Sequence, residues 1–67
     1  MLERIEQTTS WLKKLDGDTR ARVEVELEKQ RRALEEFLDG KKPKRTAQRI
    51  IERSHTRVAK IVAGGQA

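Results

Sequence analysis

Apolar residues recur three and four positions apart along most of the chain, a spacing that predicts helices. At about 100° per residue, Leu2, Ile5, Leu12 and Leu15 gather on one side of residues 2–15, with Thr8 and Thr9 between them. QTTS at 7–10 interrupts this stripe, because β-branched and hydroxyl side chains form helix weakly. Ser10 is therefore an alternative cap for a shorter helix starting at Trp11, although one helix over 2–15 is the favoured reading. In LDGDT at 15–19, Gly17 suits a left-handed, helix-ending position and Asp18 is a good N-cap for the next element. Residues 19–38 carry the strongest pattern. Val23, Leu27, Gln30, Leu34 and Phe37 alternate four and three apart, and Leu38 widens the stripe. This is a heptad seam of about two and a half heptads. The outer face offers Glu28–Arg32, Arg31–Glu35 and Arg32–Glu36, each pair four residues apart and worth a few tenths of a kcal/mol.

Asp39-Gly40 is expected to end the second helix and Pro43 to open the third, with Thr46 as a second candidate cap. Strand-like alternation occurs only at RVEVEL (22–27), inside a longer helical period. The fold class that follows is all-α: a small three-helix domain over residues 1–63. Its helices lie at about 2–15, 19–38 and 43–63, joined by links short enough to make neighbours antiparallel. The first two helices form an antiparallel hairpin, a basic amphipathic C-terminal helix packs on it, and 64–67 is a flexible tail.

Size narrows this picture. A chain of 67 residues buries only about 60% of the surface its unfolded form exposes. A single core of this size supplies roughly 3–5 kcal/mol without a staple. Cysteine is absent, which removes disulfides and thiolate metal sites. The lone His55 has Ser, Thr and Arg as neighbours, so no metal and no cofactor is expected. Self-association into a homodimer is the remaining common remedy. No apolar run approaches the ~20 residues of a membrane span, and MLERIEQTTSW lacks the features of a signal peptide. A soluble cytoplasmic protein is expected, with no membrane partner.

Charge changes the picture more. Residues 1–40 hold eight basic and ten acidic side chains, whereas residues 41–67 hold eight basic and one acidic, Glu52. A scaffold thus precedes a polyanion-facing part. With Ala47 set at 0°, Ile50, Ile51, Ser54, Val58, Ile61 and Val62 fall within about 60° of it. Arg45, Arg49, Glu52, Arg53, Thr56 and Lys60 lie opposite, Arg57 is on one flank, and His55 and Gln48 are on the other. Lys41, Lys42 and Lys44 extend the charge into the preceding link. Arginine forks bond phosphate bidentately and reach guanine edges, and neutralised phosphates release condensed counterions. Arginines four apart on a helix are spaced about 6 Å along its axis, close to the phosphate repeat of one strand. The binding residues assigned on this basis are Lys41, Lys42, Lys44, Arg45, Arg49, Arg53, Arg57 and Lys60. Gln48, His55 and Thr56 are candidates for base or other polar contacts. Five to eight such contacts predict a log–log salt slope of roughly −4 to −7 on duplex DNA.

A solvated face normally mixes signs, as residues 24–36 do, so the lack of compensating acids favours nucleic acid, DNA or RNA, as the partner. The rival reading is a helical adaptor or inhibitor whose arginines meet an acidic protein surface and whose Trp11 anchors the partner, since tryptophan is enriched at interface hot spots. A structural subunit of a larger assembly is a third reading. Beyond anchoring, Trp11 is also read as an edge cap of the core or a base-stacking group. KKPKR resembles a short nuclear-localisation signal, a pattern common by chance. A helix-turn-helix arrangement fits loosely, with Gln48, Arg49, Arg53 and Thr56 as readers, but the second helix is long for it. An enzyme is not expected. His55 lacks a nucleophile facing it, because Ser54 is adjacent and turned to the core side, and paired Glu35-Glu36 sits among arginines. Gln30 interrupts the seam, either as an edge residue or as a register-setting polar group, and Val25 points away from its helix's stripe.

Overall fold

The computed structural model describes residues 1–65. It consists of three helices: α1 (Leu2–Lys13), α2 (Gly17–Leu38) and α3 (Lys44–Gly65). The all-α, three-helix class expected from periodicity is what the chain forms. The threonines of QTTS do not break α1. The hydroxyls of Thr8 and Thr9 donate to the carbonyls of Arg4 and Ile5, each at 2.9 Å, a back-bond that lets such residues stay in a helix.

The links are set by main-chain bonds. α1 tightens at its end through Lys14 N–H to the Trp11 carbonyl (3.0 Å) and Leu15 N–H to the Leu12 carbonyl (3.1 Å). Gly17 adopts φ +60, a left-handed conformation favoured by glycine, but it opens α2 rather than closing α1. Asp16, extended at φ −144, occupies the cap position expected of Asp18, and it does so without a side-chain cap bond. At the other end, Gly40 has φ +78. Its N–H reaches the Phe37 carbonyl at 3.0 Å, while Lys41 N–H reaches that of Glu36 at 2.8 Å. These two bonds form a Schellman ending. The Pro43 carbonyl accepts from Ala47 N–H at 3.1 Å, so proline stands one residue ahead of the first helical position. α3 continues through Gly64 and Gly65, past the expected end at residue 63. The remainder of the expected tail, residues 66 and 67, lies outside the described residues.

Cross-helix bonds give the directions. Gln30 meets Ser54 and Glu26 meets Arg57, so α2 and α3 run antiparallel. Arg4 meets Glu52 and Gln7 meets His55, so α1 and α3 run parallel. The most extensive pairing is α2 with α3, not the α1–α2 hairpin that the short first link suggests. The rod they build measures 39 × 16 × 15 Å.

The core is thin and partly polar. Ile5, Val23, Leu27, Ala33, Ala47, Ile51 and Val58 are its buried apolar side chains. Thr8, Glu26, Gln30 and Ser54 are buried with them. Gln30 is fully buried, donating from Nε2 to Ser54 Oγ at 3.0 Å, and Ser54 donates to the Glu26 carbonyl at 3.1 Å. Gln30 Oε1 finds no partner. Leu2, placed on the apolar stripe by periodicity, is 57% exposed, and Leu38 is 72% exposed. Met1 packs on the core at the start of α1 instead, and Leu38 is the last residue of its helix, where the chain turns away. Val25 is exposed, as its position off the stripe implies.

Candidate nucleic-acid interface

α3 owes its two faces to its own sequence. Ala47, Ile51, Ser54 and Val58 are buried against α1 and α2, and Arg45, Gln48, Arg49, Arg53, Thr56, Arg57 and Lys60 are all exposed. Lys41 and Lys44 are exposed in the link and at the helix start, and Lys42 is half-buried. Seven of the eight cations assigned from the sequence are thus exposed, and the eight are not equivalent. Arg57 and Lys42 are engaged: Arg57 Nε and Nη2 both stand 2.9 Å from Glu26 Oε1, and Lys42 Nζ stands 3.3 Å from Glu36 Oε2. Among the described residues, Lys41, Lys44, Arg45, Arg49, Arg53 and Lys60 meet no carboxylate.

Glu26 is the residue that sequence reasoning passed over. Its side chain is only 10% exposed, and Lys29 Nζ approaches its second oxygen at 3.4 Å. Burial alone would raise the pKa of this carboxyl, but hydrogen bonding and charge from Arg57, with Lys29 assisting, outweigh burial and hold it below the ordinary value. The signal available in the sequence was positional. Glu26 lies one residue before Leu27 and four before Gln30, on the edge of the buried seam, where a lone carboxylate needs a cation from a neighbouring helix. Glu52, the single acid of α3, is likewise taken up, by Arg4 Nε at 3.2 Å, and so does not dilute the outward face.

The α1 flank of α3 is different in kind. His55 Nε2 and Gln7 Oε1 are 2.9 Å apart, which assigns the proton to Nε2. The Trp11 and His55 rings stack at 5.0 Å and 32°, so Trp11, remote in sequence from the basic run, sits beside α3. Burial, with the nearby Arg4 charge, lowers the His55 pKa against an opposing pull from Glu52. Thr56 spends its hydroxyl on the Glu52 carbonyl at 3.0 Å. Gln48 alone of the polar candidates has no side-chain bond among the described residues. No group of three or more His, Asp or Glu side chains gathers to hold a metal among those residues, and no described helix is long and apolar enough to cross a membrane.

Comparison with protein-family models, curated proteins and solved structures gives no match.

Proposed function

We propose that the protein is a small non-enzymatic nucleic-acid-binding or regulatory accessory factor that uses the exposed face of α3 to contact phosphates. The observation that carries the reading is that Arg45, Arg49, Arg53 and Lys60 form no ion pair among the described residues, while Glu26, Glu36 and Glu52 are each engaged by another cation. A surface selected only for solubility mixes signs, since a one-sided field costs stability through self-repulsion. Here the acids within reach neutralise Arg57, Lys42 and Arg4, leaving the outward cations uncompensated. Arg45, Arg49, Arg53 and Lys60 span about 22 Å of helix at 1.5 Å per residue, with Lys41 and Lys44 extending the row. This length covers several phosphates of one strand.

The test is charge reversal. Arg49→Glu combined with Arg53→Glu should abolish binding to labelled nucleic acid while far-UV circular dichroism keeps its helical amplitude, because both side chains are exposed. Binding that survives the pair would move the function off this face. Trp11→Ala separates the adaptor reading, which needs Trp11 as an anchor. With one ring face stacked on His55, the proposal expects its loss to leave nucleic-acid affinity nearly unchanged.

A further inference from the structure

We infer that the phosphate track follows the α2–α3 groove and not the crest of α3 alone, so that Arg22 and Lys29 of α2 are binding residues. This rests on the nucleic-acid reading above and adds the path of the backbone across the molecule. The two flanks of α3 carry different charge. On the α1 side the side-chain contacts among the described residues are Arg4 with Glu52, Gln7 with His55, and Trp11 with His55: Arg4 and Glu52 cancel, and the other three side chains are neutral above the His55 pKa. On the α2 side three places in succession set α2 cations alongside cations of α3 and its link. Lys29 and Arg32 line a shallow groove with Lys42 and Glu36. One turn further on, Lys29 and Arg57 share the two oxygens of Glu26. Beyond that, Arg22 lines a groove with Lys60, where Asp18 is also present.

Glu26 makes this flank more than a sum of charges. It neutralises one unit but fixes two cations astride the seam, and it takes the Nε and Nη2 edge of Arg57. Nη1 of Arg57 meets no protein acceptor among the described residues. An arginine held by one edge presents the other to a phosphate with little rotamer freedom left to lose, which is the condition for efficient bidentate recognition. Glu26 is thus a positioning residue and Arg57 a contact. The occupant is a nucleic-acid phosphodiester strand lying along the groove.

The probes are a fluorescein-labelled duplex DNA and a labelled RNA hairpin, each titrated with the full chain at several salt concentrations. The probe bound by the unaltered protein is then used for two variants matched in helix and charge. Arg22→Gln with Lys29→Gln removes the α3-side pair. Arg20→Gln with Arg31→Gln removes two cations elsewhere on α2, where Arg31 lines the groove with α1 and Arg20 pairs with Glu24. The expected result is that the first variant flattens the log–log salt slope by about 2, one unit per lost phosphate contact, while the second leaves the slope in place. Equal effects from the two variants, or an unchanged slope in the first, would overturn the track and leave the α3 reading standing. Failure of the unaltered protein to bind either probe would remove both. Arg22 and Lys29 are exposed, and Glu26 keeps Arg57 when Lys29 is lost. If the pair lowers helicity, Arg22→Gln alone decides the same question, with half the slope change expected.

Discussion

One hydroxyl group joins the polar side chains at the centre of the bundle. Ser54 accepts from Gln30 and donates to the Glu26 carbonyl, and all three residues are buried. Ser54→Ala removes both bonds and leaves Gln30, already short of a partner at Oε1, fully unpaired. A loss of about 1–3 kcal/mol is expected, to be read from urea unfolding. Adding Gln30→Leu should recover most of that loss, because replacing both partners by apolar groups of similar shape is nearly neutral. Gln30 was legible in the sequence as a polar break in an apolar seam. That Ser54 answers it was not, since periodicity showed only that Ser54 faces inward. His55 gives a second residue-scale expectation. Burial and Arg4 lower its pKa from the ordinary 6.5. As pH falls through 6.5 the unfolded chain takes up its proton first, so stability drops, and the loss is complete once pH is below the folded value. Above 6.5 the residue contributes nothing to this dependence. Because it is the only histidine, an NMR titration of its ring protons should give a midpoint below 6.5. A midpoint at or above 6.5 would contradict the half-buried placement against Trp11 and Gln7.

At the level of elements, the breaks were easier to see than the partnerships. Glycine at 17 and 40 marked both turns because the backbone is left-handed there. Gly40→Ala should cost about 1–2 kcal/mol, the penalty of that conformation for an L side chain. No neighbouring atom obstructs the added methyl group, so a melting curve reads the backbone term alone. The cap shifted from Asp18 to Asp16 because Gly17, with its positive φ, joined α2 instead of ending α1. The apolar face of each helix was readable at 3.6-residue spacing, but a face does not name what it packs against. Hence the dominance of the α2–α3 pairing, and the Glu26–Arg57 bond that crosses it, came only from the structure. None of the three expected i,i+4 pairs of α2, Glu28–Arg32, Arg31–Glu35 and Arg32–Glu36, is among the ion pairs of the described residues; Arg20–Glu24, four apart, and Glu26–Lys29, three apart, close instead. Exposed pairs of this kind are worth little in any case.

Across the whole molecule, the uneven distribution of charge shapes the surface. The basic run of 41–60 was visible as composition, and its confinement to one face as periodicity. Its sorting into engaged and free cations required the positions of Glu26, Glu36 and Glu52 relative to their partners on other helices. The surface proposed to meet a polyanion is the exposed row of α3, joined by Arg57 and the α2 cations of the groove. The measurement that tests this most directly is the affinity of the full chain for labelled duplex DNA and for an RNA hairpin, taken from low to physiological salt. Tight binding to one of them at low salt is predicted, with log Kobs falling against log salt at a slope between about −4 and −7. Absence of binding to both at low salt, or binding indifferent to salt, would contradict it.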